Sequence, residues 1–236
     1  SGGASAPKKR KAGARGQTAR AALHELAPAA AWKAHAQCVS AVLWQQTSQA
    51  SGADPASGGG GGGEGGMAAT ASWDHSIKTW DVERQDAVVT INGSKVATCM
   101  AASQGGGPWL LATGHPDGAV KLWDPRVPGG GTTTGCAATL VGPGSSSGAA
   151  AGCWVSDLSW CPGSEHVLAS ASHDGLARIF DARSGNSRPL FTLRAHGDKA
   201  KATKGLCVGW SGAALASGGA DCQLKTFGLE GLGASS

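Results

Sequence analysis

The stretch ATASWDHSIKTWD, residues 69–81, decides how the rest of the chain is read. It leads from small residues into a polar turn at Asp74, alternates apolar with polar side chains, and closes on Trp80 and Asp81. The phrase returns as ATGHPDGAVKLWD at 112–124, as ASASHDGLARIFD at 169–181 and, more weakly, as ASGGADCQLKTFG at 216–228. A recurrence every 40–60 residues or so marks a repeat architecture, and its period outranks any single-segment propensity. The turn aspartates are Asp74, Asp117, Asp174 and Asp221. Their widest gap is filled by two Gly- or Ser-rich insertions, 127–135 and 142–152. Insertions of that kind cost little, because loop-closure entropy grows only logarithmically with length.

Each unit carries further strands. Alternating segments VSAVLW (39–44), VATCMAA (96–102), VSDLSW (155–160) and LCVGW (206–210) precede the repeated phrase. Period-two alternation over five or six residues, bounded by Gly, Ser or Pro, predicts a half-buried strand. A second strand such as LLATG (110–114), a tight turn at the aspartate, a third strand such as AVKLWD (119–124) and a fourth such as DAVVTI (86–91) or PLFTL (189–193) complete a unit. Four short antiparallel strands per unit build one propeller blade, so the predicted fold class is all-β. The blades fall at about 34–91, 92–141, 150–193 and 194–230, within a propeller region of 28–230, preceded by a basic segment at 1–27 and followed by a tail at 231–236. PAAAW at 28–32 is expected to be the last strand of a preceding blade. The chain begins at Ser rather than Met, and it is read as a fragment.

The formal charge of +4 is local. Lys8, Lys9, Arg10, Lys11, Arg15 and Arg20 face no acid within the first twenty residues, which leaves the remainder slightly acidic. A nearly neutral globular part argues against a broad phosphate-binding face. The seven cysteines include no CxxC pair and no Cys/His spacing that closes a zinc site, and they read as reduced thiols of an intracellular protein. No apolar run approaches eighteen residues and nothing resembles a signal peptide, so a soluble, non-secreted protein is expected. The acids recur at the repeat period, as turn chemistry requires, and no nucleophile triad, carboxylate pair or phosphate loop stands outside it. An enzyme is therefore not expected, and neither is a cofactor, a metal, a small-molecule substrate or a membrane partner.

These phrases resemble WD40 repeats. In that family a His ahead of the first strand, a Ser or Thr ending the second, the turn Asp and the Trp of the third strand form a hydrogen-bonded chain. The resemblance places His35, Ser72, Asp74 and Trp80 in the first blade, Asp117 and Trp123 in the second, Ser172 and Asp174 in the third, and His196 and Asp221 in the fourth. The second blade lacks the His, while Phe180 and Phe227 replace Trp in the third and fourth. About four blades of what the resemblance implies is a seven-bladed ring are present, so uncovered sheet edges are expected to leave the isolated chain marginally stable or prone to aggregate.

TASWDHSIKTWDVE (70–83), LWDPR (122–126), WVSDLSW with SEHVLASASHDG (154–175), PLFTLRAHGDK (189–199) and SGGAD (217–221) resemble, more narrowly, the C-terminal half of the WD-repeat subunit of Pescadillo–Bop–WD-repeat complexes. The resemblance implies a non-enzymatic scaffold in ribosome biogenesis. It would act in large-subunit rRNA processing, in the nucleus and nucleolus, with Pescadillo- and Bop-type proteins and the pre-60S particle as partners. PKKRK, with Lys8, Lys9, Arg10 and Lys11, reads as a nuclear-localisation run that also offers a weak, salt-dependent contact to rRNA. Trp73, His75, Trp154 and His173 are expected in turns on one rim, as candidate contacts for partner proteins. The alternative function is a substrate receptor of a cullin-type ubiquitin ligase, carried by Arg126 and Arg183 two residues past the closing aspartates, in W-D-x-R-like boxes.

Overall fold

A computed structural model describes residues 28–45, 66–103, 109–126, 136–141, 153–184, 188–197 and 203–229. The chain divides into a unit of Ser1–Trp32 and a unit of Lys33–Ser236. In the first, the described residues 28–32 form no strand. An extended segment becomes a strand only when a neighbour accepts its ladder, and no described strand lies beside PAAAW.

All regular structure in the second unit, among the described residues, is antiparallel sheet. Sheet 1 runs in order through β1 (Val39–Gln45), β2 (Met67–Ser72), β3 (Ser76–Asp81) and β4 (Asp86–Asn92). Sheet 2 has β5 (Cys99–Ala102), β6 (Leu111–Gly114), β7 (Ala119–Trp123) and β8 (Cys136–Val141). Sheet 3 has β9 (Val155–Trp160), β10 (Val167–Ser172), β11 (Leu176–Asp181) and β12 (Phe191–Arg194). Sheet 4 has three described strands, β13 (Gly205–Ser211), β14 (Ala214–Gly219) and β15 (Leu224–Gly228). The meander follows from short connections, because a tight turn can join only antiparallel neighbours.

The second strand of each sheet is the most buried. β10 is buried at every position, and β2 carries Ala68, Ala69 and Ala71 in the core. Small residues suit a strand covered on both faces, since adjoining sheets must approach closely across it. The first strands pack in sequence, β1 on β5, β5 on β9 and β9 on β13, so that the sheets succeed one another like slices. Three clusters fill the seams. Ala69, Ala71 and Ile77 meet Met100, Leu111 and Trp123 between sheets 1 and 2. Ala112, Val120 and Leu122 meet Val155, Leu158 and Trp160 between sheets 2 and 3. Ala169, Ala171 and Ile179 meet Val208 and Leu215 between sheets 3 and 4.

A hydroxyl at one recurring position fastens each seam. Ser40 Oγ donates to its own sheet at Ala71 O (3.1 Å) and across the seam to Ala97 O (2.7 Å). Thr98 Oγ1 does the same with Gly114 O (2.9 Å) and Val155 O (2.6 Å), and Ser156 Oγ with Ala171 O (3.1 Å) and Gly205 O (2.8 Å). By strand register the fourth member of this column is Leu206, which is exposed.

Candidate functional site

The turn carboxylates are built first, because they fix the rim above them. In sheet 1, Asp74 accepts from Ser76 Oγ (2.6 Å), the Ser76 amide (3.0 Å) and the Ala36 amide (2.9 Å), and His35 Nδ1 lies 3.1 Å from it. Burial works to raise the pKa of Asp74, but the hydrogen bonds from Ser76, Ala36 and Ser72 outweigh it and hold the carboxyl far below its ordinary range. The other imidazole nitrogen, His35 Nε2, pairs with Thr70 Oγ1 at 2.7 Å, and Trp80 Nε1 donates to that same oxygen at 2.7 Å. The hydroxyl linking His35 to Trp80 is thus Thr70. Ser72, named for that role from sequence, instead accepts the Asp74 amide (3.0 Å) and caps the turn. Thr70 and Ser72 share one face of β2 by the period of two, so alternation alone does not separate them.

The other sheets keep the carboxylate, and sheets 2 and 3 change its partner. In sheet 4, His196 Nδ1 meets Asp221 (2.8 Å), and its Nε2 meets Ser217 (2.9 Å), the counterpart of Thr70. In sheet 2, Lys95 pairs with Asp117. An imidazole is present there, but it follows the second strand. His115 reaches back to Thr113 (Nε2, 3.0 Å), bonds Val96 O (Nδ1, 2.8 Å), and leaves Thr113 to accept Trp123 Nε1 at 2.8 Å. Burial lowers the His115 pKa, against the opposing pull of the Val96 carbonyl. In sheet 3, the buried Arg178 takes the place of an imidazole, with Nη2 on Asp174 (2.5 Å) and Nη1 on Ser172 (2.6 Å). Cys153 Sγ lies 3.6 Å from the same carboxylate. Burial opposes the ionisation of Asp174, and the Arg178 bonds more than offset it. All four repeat aspartates are thereby committed to turns.

The rim residues fall into two groups. Trp154 and His173 stack at 6.0 Å with their planes 12° apart, and the His173 amide donates to Trp154 O. Burial, then Lys204, lower the His173 pKa. Trp73 is 44% exposed, and its amide donates to Cys38 O in the equivalent contact of sheet 1. His75 beside it is exposed and adopts a left-handed φ of 70°. The matching residues are Gly118, Gly175 and Cys222, each also left-handed. A non-glycine side chain in that conformation costs roughly 1–2 kcal/mol, so His75 is held there against its backbone preference. Arg126 and Arg183 each lie beside their own closing aspartate, Arg126 on Asp124 (2.8 and 3.0 Å) and Arg183 on Asp181 (3.4 Å), and both side chains stay more than half exposed. The basic run of Lys8, Lys9, Arg10 and Lys11 lies outside the described residues.

The model of the WD domain, G-beta repeat, matches residues 86–124 and 143–181. These are the third strands and closing aspartates of sheets 2 and 3, each with the segment leading up to them. The chain is a WD-repeat protein. It is 38% identical over 203 residues to a ribosome biogenesis protein WDR12 homolog of Chlamydomonas reinhardtii, a match covering 83% of this chain and 38% of that one. A WDR12 homolog of Nematostella vectensis is 33% identical over 85% of this chain and 39% of its own length. One from Arabidopsis thaliana is 30% identical over 81% of this chain and 36% of its own length. The WD-repeat chain therefore spans under two fifths of the length of these relatives.

Proposed function

We propose that this WD-repeat chain is a non-enzymatic interaction scaffold in ribosome biogenesis, serving large-subunit rRNA processing and assembly in the nucleus and nucleolus. The observation that carries the reading is similarity to ribosome biogenesis proteins across four fifths of the chain. The repeat aspartates fit it, because each accepts backbone amides of its own turn and serves the fold. Pescadillo- and Bop-type proteins on the pre-60S particle are the proposed partners, met by the rim of Trp73, His75, Trp154 and His173, while Lys8, Lys9, Arg10 and Lys11 direct nuclear entry and touch rRNA weakly. The ligase reading, carried by the exposed Arg126 and Arg183, stands second because the relatives are ribosome biogenesis proteins.

Affinity purification of the tagged chain from growing cells tests this. Large-subunit precursor rRNA and pre-60S proteins are expected, with recovery reduced by Trp73→Ala combined with Trp154→Ala. A cullin adaptor in their place, lost on Arg126→Ala with Arg183→Ala, overturns the proposal.

A further inference from the structure

The chain has two asparagines, Asn92 and Asn186, and only Asn92 is followed by glycine. An Asn-Gly pair carries its own chemistry. Once the glycine amide gives up its proton, its nitrogen attacks the asparagine side-chain carbonyl carbon, closes a succinimide and expels ammonia. Water then opens the ring at one carbonyl or the other, leaving aspartate or isoaspartate, whose main chain is longer by one carbon. Glycine favours the closure because no Cβ stands in the path and the backbone turns freely.

Asn92 is exposed at the end of β4, paired in register with Ser76, so its side chain is open to water. The nucleophile is engaged elsewhere. The Gly93 amide donates to His75 O at 2.7 Å, and that carbonyl is in reach because His75 holds its left-handed φ of 70°. In sheet 3 the matching carbonyl belongs to Gly175, and it accepts the Ala195 (3.0 Å) and His196 (2.8 Å) amides. Both turns thus offer a carbonyl to the end of the fourth strand, but in sheet 1 the donor is the reactive nitrogen of the Asn-Gly pair. A Cβ on Gly93 would lie 3.0 Å from His75 O and 3.8 Å from the Trp123 ring, which reserves the position for glycine and keeps the pair reactive.

We propose that Asn92 is a deamidation site held shut by the His75 carbonyl. While the bond stands, the Gly93 N–H is occupied and the paired strand backbone cannot fold back onto the side chain. When the turn opens, the pair reacts, and the change is irreversible. It falls where sheets 1 and 2 are joined: Ser94 accepts Lys121 Nζ at 3.1 Å and Lys95 pairs with Asp117, and the extra main-chain carbon of isoaspartate displaces both. The strained conformation of His75 therefore protects a residue of the neighbouring strand. This inference does not depend on the proposed function.

Peptide mass spectrometry of the purified chain, incubated folded and in urea at mildly alkaline pH, reads the conversion of Asn92, and enzymatic methyl labelling of isoaspartate gives a second readout. The folded chain is expected to convert at least tenfold more slowly than the unfolded one. His75→Val disfavours the left-handed conformation and should speed conversion of the folded chain at least fivefold. His75→Gly adopts that conformation without strain and should convert no faster than the parent. Far-UV circular dichroism checks that each variant keeps its strand signal, and if His75→Val loses it, His75→Ala takes its place. Equal rates for the folded and unfolded parent, or equal rates for the glycine variant and the valine or alanine variant, overturn the proposal.

Discussion

Thr70→Val removes one oxygen and keeps the shape of the side chain, so its cost measures the polar network almost alone. That oxygen serves two buried groups at 2.7 Å each, His35 Nε2 and Trp80 Nε1, and Thr70 is 8% exposed. With His35 Nδ1 donating to Asp74, Nε2 is left as the acceptor of the Thr70 hydroxyl, which in turn accepts the indole N–H. Loss of the hydroxyl strands one donor and one acceptor, at about 1–3 kcal/mol apiece, so a destabilisation of about 3 kcal/mol is expected. Ser72→Ala removes the bond from the Asp74 amide and a long one to Gln37 O (3.5 Å), and should cost about 1 kcal/mol. Urea unfolding followed by far-UV circular dichroism, at fixed protein concentration, compares the two. A third variant sharpens the test: Trp80→Phe removes the stranded donor, so Thr70→Val in that background should cost about 1 kcal/mol less than it does alone. Sheets 3 and 4 already carry Phe180 and Phe227 at this position. If Ser72→Ala proves as costly as Thr70→Val, or if the double mutant is strictly additive, the assignment of Thr70 as the bridge is wrong.

Two further outcomes follow from the same network. The pKa values of Asp74, Asp117, Asp174 and Asp221 are all lowered in the folded chain, so their contribution to stability is complete above the unfolded value of about 4 and is lost as pH falls through the folded values. Unfolding midpoints should therefore drop steeply below about pH 4, and Asp74→Asn should reduce that slope. Arg178→Met should destabilise by about 2 kcal/mol in thermal or urea melts, less than a fully buried pair because the Asp174 side chain is 22% exposed, and Arg178→Lys should recover part of the loss.

The repeat period, the strand order within each sheet and the turn aspartates were legible in the sequence because each rests on local alternation and turn chemistry. Choices made across space were not legible. Whether Thr70 or Ser72 meets the imidazole depends on where the segment holding His35 descends onto β2, and both hydroxyls sit on the proper face. The second sheet reads as lacking a histidine because His115 follows the second strand rather than preceding the first. Nothing in the sequence sets Arg178 apart, since Lys78 and Lys121 share its register and only Arg178 is buried. A column of hydroxyls at Ser40, Thr98 and Ser156 was visible as letters, but its purpose appears only when the neighbouring sheet is in place. The stacking of Trp154 on His173 likewise joins residues that the sequence could only assign to the same rim.

That column of shared hydroxyls has a mechanical corollary. Each of them buttons a sheet to the one after it, so an interior sheet cannot loosen without tugging on its successor. Leu206 carries no hydroxyl at the matching place on sheet 4, so the column of fastenings runs through three sheets and stops short of the fourth.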